Sequence, residues 1–325
     1  MNTRVQGRAD CSQRLIGCGA TIALVLLLTA GVMSAAVAQQ PSEPLVLMPH
    51  FLQRDVYWVS GGVSNTGFII GDKGVVVFDA QMTPEAAHNL LAEIAKVTAK
   101  PVNEIVVSHA DPDHVGGLPG YPIGTAIIAQ ENTKSEILVS AADPSAPPEI
   151  GTIYKALLSF LPTQTIGSTK TLVLDGVRMV LMYTAPAHTS GDLAVYLPLQ
   201  RIVFAGDIVT TNTGPYPVIH FGGSSLGWIA SMKALLALDA DTYVSGHGPI
   251  ESKTMLQARV RDAMQRRDQV KAMVNQNKTL AEVEQSLPDP GVGTMPFATF
   301  TQTVYAELTN GYPPATPPWR NRIKK

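Results

Sequence analysis

Residues 105–117 read IVVSHADPDHVGG. Within them His109, Asp111, Asp113 and His114 carry imidazole and carboxylate groups, directly after an apolar, β-branched run of the kind that forms a buried strand. Neutral imidazole and carboxylate are ligands for Zn²⁺, Fe²⁺ and Mn²⁺, and a tight loop at a strand end can turn neighbouring side chains toward one point. The cluster therefore reads as half of a metal site. A polar loop is the plain alternative, because Asp-Pro-Asp is also ordinary turn chemistry. Three later positions share the setting. His188 in APAHTSGD, Asp207 in IVFAGD and His247 in YVSGHG each stand at or just past the end of an apolar run.

In that order and setting these residues resemble the metallo-β-lactamase superfamily, whose HxHxDH motif, later His, later Asp and last His surround one or two metals. The resemblance runs from about Val56 to about Pro249 and implies an α/β fold, an αββα sandwich with the site between its two halves along one edge. It also implies a first metal group of His109, Asp111 and His188 and a second of Asp113, His114, Asp207 and His247. This sequence has Asp111 where the family usually has its second His, so the motif reads HxDxDH. Carboxylate is the harder, anionic ligand, so the change favours metals that tolerate oxygen donors. Flavodiiron proteins and competence-type nucleases carry a carboxylate at this place. A single-metal site, with the first group weak, stays open beside the two-metal one. Zinc comes first among the cofactors, with iron or manganese as alternatives.

The chemistry implied is metal-assisted hydrolysis. A cation lowers the pKa of bound water toward about 7 and polarises a carbonyl or phosphoryl oxygen. Asp207 is placed to bridge, and Asp113 to ligate and relay the proton of the water. No Ser-His-Asp grouping competes, and no phosphate-binding Gly-rich loop precedes a helix. The first reading is thus an exported hydrolase of a small ester, lactone or amide, β-lactams included. Its rivals are an iron-dependent redox enzyme on the same fold, such as a persulfide dioxygenase, and a noncatalytic metal-binding relative.

The elements that must position these groups are legible in the apolar patterning. Residues 56–60, 67–70 and 75–78 read as hairpin-linked strands broken by glycines, and Asn65, in the bend between the first two, is a candidate substrate contact. Thr83-Pro84-Glu85 opens a helix to about residue 97, with Ala87, Leu90, Leu91 and Ile94 inward and His88 outward. A strand at 126–129, helices at 131–139 and 153–160 and a proline-rich loop at 141–149 follow. The run 171–174, Asp175-Gly176, 177–183 is a hairpin signal ahead of His188. Strands at 193–197 and 202–205 lead to Asp207, and a strand at 241–244 leads to His247. Between Asp207 and a helix at 226–238, with Ser225 as its N-cap, lies a loop containing Tyr216, His220 and Phe221. This loop reads as a substrate wall, with His220 as a further ligand or proton carrier. An amphipathic helix at 253–277 and a second helix at 297–309 close the domain.

The N-terminus has its own chemistry. Arg4, Arg8 and Arg14 precede an apolar stretch from Ala20 to Ala30, and Ala36-Val37-Ala38 completes the layout of a secretory signal peptide. Residues 1–38 are read as that signal, 39–55 as a tether, 56–310 as the metallo-β-lactamase-like domain and 311–325 as a frayed tail. Retention of the signal as a membrane anchor stays open. Cleavage before Gln39 removes Cys11 and Cys18, the only cysteines, so the mature chain has no thiol and any metal must be held by nitrogen and oxygen. The formal charge moves from −2 to roughly −4, too mild to indicate a nucleic-acid or anionic-membrane partner. The expected partner is a small molecule, and the expected location is the periplasm or the medium.

Overall fold

The computed structural model describes residues 45–290 and 297–311. Strands β1 (Met48–Gln53), β2 (Val56–Ser60), β3 (Thr66–Ile70) and β4 (Val75–Phe78) form an antiparallel meander. Helix α1 (Pro84–Ala95) then carries the chain over one face to β5 (Val102–Val106), which pairs parallel with β4. The one-turn helix α2 (Pro112–Val115) leads to β6 (Ala126–Gln130), and α3 (Glu131–Ala142) and α4 (Pro148–Ala156) lead to β7 (Gln164–Ile166). Both strands extend the sheet in parallel, giving seven strands in the order β1 to β7.

A second sheet of five strands has the order β12-β11-β10-β9-β8. Its antiparallel part is β8 (Lys170–Leu174), β9 (Val177–Met182), β10 (Ala194–Leu197) and β11 (Ile202–Phe204). Helix α5 (Ser225–Leu236) crosses over to β12 (Thr242–Val244), parallel to β11. Helices α6 (Lys253–Asn275), α7 (Leu280–Ser286) and α8 (Phe300–Asn310) complete the described chain.

Side-chain alternation along the strands explains why these elements stack in four layers. In β4, Val75 and Val77 face the first helical layer while Val76 and Phe78 face the other sheet. In β11, Ile202 and Phe204 point between the sheets and Val203 points to α5 and α6. Strands covered on both faces read as continuous apolar runs, as these do. Phe78 stacks on Phe204 across the sheets at 4.3 Å between ring centroids. On the outer faces, Leu90 and Ile94 of α1 pack on the first sheet, and Trp228, Met232, Leu256 and Val260 on the second. Each such burial is worth about 1.5–3 kcal/mol before ordering costs. The αββα sandwich implied by the resemblance is the fold observed.

Some local expectations are corrected. The segment 39–55, read as a tether, contains β1; its side chains, half of them exposed and the rest only partly buried, give no alternation to read, and Pro49 is tolerated because the strand is an edge. The cap of α5 is Ser224, whose hydroxyl accepts from Gly227 N, rather than Ser225. The helix expected at 153–160 starts earlier, at Pro148, and ends in a 3₁₀ turn, Leu157–Ser159. The 141–149 loop shortens accordingly. Helix α7 carries a Thr279/Glu282 capping box that the pattern reading passed over. The segment 1–38, expected to be a signal peptide, and residues 312–325 of the expected tail lie outside the described residues, and among the described residues no helix is long and apolar enough to cross a membrane.

Candidate metal centre

Strands β9, β11 and β12 run in the same direction, so their C-terminal ends share an edge; the loops after them carry His188, Asp207 and His247. The turn after β5 faces them with four more groups. There Asp111 occupies the cap position of α2, Pro112 opens the helix, and Asp113 and His114 fall in its single turn. Asp207 lies in a 3₁₀ turn, Gly206–Ile208, whose Gly206 has φ +51° and packs against Ser108. Gly246 is needed for close approach, since a Cβ there would fall 1.8 Å from Asp207 Oδ1.

Three groups of donor atoms converge, each within 4.8 Å of one another: His109, Asp111 and His188; His109, His114 and Asp207; and Asp113, His114 and His247. Asp111 Oδ2 lies 3.3 Å from His109 Nε2 and 3.2 Å from His188 Nε2. His247 Nε2 lies 3.0 Å from Asp113 Oδ2 and 3.3 Å from Asp207 Oδ2. Asp207 spans both sides, with Oδ1 3.3 Å from His114 Nε2 and Oδ2 3.6 Å from His188 Nε2. All seven residues named from the sequence are thus brought to one place. The arrangement is able to hold metal ions. His109 Nε2, Asp111 Oδ1 and Asp207 Oδ1 are buried without a hydrogen-bond partner, a rare state for polar atoms and the one expected where lone pairs await a cation.

The far sides of three imidazoles, those of His109, His114 and His188, are braced so that Nε2 faces inward. His188 Nδ1 donates to Val218 O at 2.8 Å, and His114 Nδ1 to Asp79 Oδ2 at 2.9 Å. The Ser108 hydroxyl donates to Asp79 Oδ2 at 2.8 Å and accepts from His109 Nδ1 at 2.8 Å. Asp192 accepts from Thr189 N at 2.8 Å and fixes the His188 loop.

Charge at the centre is strongly coupled. Burial favours neutral carboxyls, but His220, His109 and His188 outweigh it at Asp111, holding that group well below its usual range. Asp207 is likewise pulled down by His247 and His114 against burial, and Asp113 by His114 and His247. Burial disfavours imidazolium, yet Asp111 and Asp207 raise His188 to about 9. Asp207 and Asp113 raise His247 to about 10. His220 goes the other way, lowered by burial and by its neighbours His188 and His109 despite Asp111.

Above the centre lies a cavity of about 580 Å³ whose floor includes Asp111, Asp113, His188, Asp207 and His247. Its walls are mostly apolar, from Val63, Met82, Ile150, Val218, Phe221 and Phe297, with Thr210, Asn212 and Thr213 adding polar groups. Of the four residues proposed for substrate contact, Phe221 and His220 line this cavity, and Asn65 and Tyr216 do not. Asn65 Nδ2 instead donates to Ser245 O and Gly248 O, at 2.9 and 2.7 Å, bracing the His247 loop from beneath. Tyr216 turns into the core, stacked on Phe300 and under the Arg266 guanidinium. Met82, Ile150 and Phe297 come from loops or a helix without a motif to flag them. Asp79 also escaped notice, although it ends the VVVF run of β4 as the ligand candidates end theirs.

Residues 59–247, which contain every donor above, match the family model of the Metallo-beta-lactamase superfamily. The chain belongs to this superfamily. It is 31% identical over 195 residues to 2,4-dinitroanisole O-demethylase subunit alpha of Nocardioides sp. (strain JS1661), covering 59% of this chain and 55% of that protein. It is 22% identical over 212 residues to the linear primary-alkylsulfatase of Pseudomonas sp. (strain ATCC 19151), covering 54% and 40% respectively. The solved structure of the stereoselective inverting sec-alkylsulfatase Pisa1 from Pseudomonas sp. superposes with a TM-score of 0.64 at 16% identity, covering 82% of this chain and 51% of that one, a likeness of fold. The chain therefore spans about half the length of the curated relatives it matches.

Proposed function

We propose that this protein is a metal-dependent hydrolase that cleaves a carboxylic ester, lactone, sulfate ester or aryl ether bond in a substrate with an apolar body. One observation carries the reading: overlapping groups of nitrogen and oxygen donors, linked through His109 and His114, lie at the floor of a largely apolar cavity. The names of two relatives support the substrate class, since a dinitroanisole and a linear alkyl sulfate both join a polar group to an apolar body. A roughly 300–1,000 Å³ pocket with apolar walls and few polar groups suits a small molecule of this kind.

His109, Asp111 and His188 would hold one ion, and Asp113, His114, Asp207 and His247 a second, with Asp207 between them. A divalent cation bound there supplies an acidified water and a Lewis acid. Around it the chain's own groups divide the work. Asp113, at the cavity floor and 3.0 Å from His247, accepts the proton released on attack and returns it to the leaving group. Met82, Phe221 and Phe297 exclude bulk water and hold the apolar end of the substrate. Zinc is the first metal to test, because imidazole and carboxylate are the donors it takes in catalytic sites that keep a position open for water. The protein is exported, with its mature form beginning at Gln39, and its partner is a small molecule rather than a nucleic acid.

Elemental analysis of the protein as expressed, followed by a panel of aryl and alkyl esters, lactones, alkyl sulfates, β-lactams and nitroaryl ethers, tests the reading. Chelator-sensitive turnover, with KM falling as the apolar part lengthens, is expected. A panel without turnover in the zinc, manganese and iron forms would contradict it.

A further inference from the structure

We infer that His220 is a ligand of the first metal group, joining His109, Asp111 and His188 to make a site of three imidazoles and one carboxylate. The inference rests on the metal-centre reading above and adds to it a residue from outside the motif.

Three donor atoms form a closed triangle. His220 Nε2 lies 2.9 Å from Asp111 Oδ2 and 3.0 Å from His188 Nε2, and His188 Nε2 lies 3.2 Å from the same oxygen. Donors about 2.0–2.1 Å from a shared tetrahedral ion lie about 3.3–3.4 Å apart, so the triangle needs to open by only a few tenths of an ångström to admit one. His188 Nε2 has its lone pair turned inward, because Nδ1 is committed to Val218 O. A second imidazole nitrogen held against it and against a carboxylate is the juxtaposition that a cation resolves.

The backbone fixes His220 in this place. His220 N donates to His188 O at 2.7 Å and Ser190 N donates to Phe221 O at 3.0 Å, while Thr189 and Gly222 form an antiparallel bridge. The two loops are thus zipped together, with both histidines on the same side. The ring is 5% exposed, lies between Phe221 and Phe297 at 4.8 Å from each, and its Nδ1 has no hydrogen-bond partner among the described residues. Only Nε2 is engaged, and it points into the centre. The assignment also answers the departure at Asp111: an imidazole from another loop restores the nitrogen count that the carboxylate removed. It ties the cavity wall formed by Val218 and Phe221 directly to metal binding.

The test compares wild-type protein with His220→Ala and His220→Gln, each dialysed against zinc and cobalt(II), with metal content, calorimetric affinity and the visible cobalt spectrum as readouts. Both variants should lose close to one equivalent or bind it at least about 10-fold more weakly, with a changed cobalt spectrum. Glutamine, which preserves bulk and a hydrogen bond to Asp111, should fail to restore the ion. Affinity within about two-fold of wild type in either variant, with an unaltered spectrum, would overturn the assignment while leaving the metal centre intact; wild-type protein that takes up no metal would overturn both. A crystal structure of the zinc-loaded wild type decides the matter without a variant: His220 Nε2 within about 2.0–2.2 Å of zinc supports the assignment, and a separation beyond about 3 Å refutes it.

Discussion

His114 donates its Nδ1–H to Asp79 Oδ2 at 2.9 Å, and the same carboxylate reaches His109 through the Ser108 hydroxyl. One buried acid, from the end of β4, therefore orients an imidazole in each half of the centre. Asp79 adopts φ +66°, a left-handed conformation that Asp tolerates better than most residues, and Thr66 Oγ1 holds its carbonyl at 2.7 Å.

Asp79→Asn should keep the fold and weaken metal binding by about 10–100-fold, because the amide NH2 must face a donor that the carboxylate accepts, either Ser108 N at Oδ1 or His114 Nδ1 and the Ser108 hydroxyl at Oδ2. Competition with a chromophoric chelator measures this. Unchanged affinity would remove Asp79 from the account.

Asn65→Ala removes the side-chain hydrogen bonds from Nδ2 to Ser245 and Gly248 and leaves Asn65 N donating to Gly246 O, so the His247 loop, 180 residues later in the chain, keeps only a backbone tie to the residue ahead of β3. The carbonyl of buried Ser245 loses a donor, while Gly248 O keeps the Ser245 hydroxyl, so a loss of about 1–3 kcal/mol in urea unfolding is expected. The second metal equivalent should bind more weakly than the first. A variant as stable as wild type would show that the His247 loop is held by its own contacts.

Removal of metal should make stability fall with rising pH. Against the opposing effect of burial, Asp111 with Asp207 raises His188 to about 9, and Asp207 with Asp113 raises His247 to about 10. Raised values mean that bound protons stabilise the metal-free fold fully below an ordinary imidazole pKa of about 6.5, and that this support disappears as pH climbs through 9 and 10. Asp111, Asp113 and Asp207 are lowered, so their contribution is present above about pH 4 and is lost on acidification. EDTA-treated protein should melt at least about 4 °C lower at pH 10 than at pH 6.5. Zinc-loaded protein, whose ligand imidazoles carry no Nε2 proton, should show a smaller difference.

Export gives a fourth prediction. Protein recovered from the periplasm or medium should begin at Gln39 and give no reaction with a thiol reagent. An intact mass including Met1, with Cys11 and Cys18 retained, would contradict it.

The sequence made the metal donors legible because each ends an apolar run, and strand direction then fixes where such ends meet. The cavity was harder to read, since its walls come from single residues in unrelated loops: Met82 after β4, Ile150 in α4 and Phe297 ahead of α8. Asn65 and Tyr216 were placed by nearness in the chain to motif residues. Their partners are distant, Ser245 and Gly248 for one and Phe300 for the other, and only the tertiary fold discloses them. β1 is not legible because an edge strand with no fully buried residue has no buried face to impose alternation. His220 fell in the loop read as a wall, and nothing in its spacing distinguished a cavity-facing ring from one that touches Asp111 and His188.

The central claim is hydrolysis at a metal centre beneath an apolar cavity, and anaerobic turnover in ¹⁸O-labelled water tests it most directly. The zinc-loaded protein, given an apolar aryl ester or alkyl sulfate without oxygen, should release product carrying one solvent-derived ¹⁸O, and Asp113→Asn should lower kcat by about 10²–10⁴-fold. Activity that appears only in the iron form, consumes oxygen and leaves solvent label out of the product would contradict the account and establish the redox alternative.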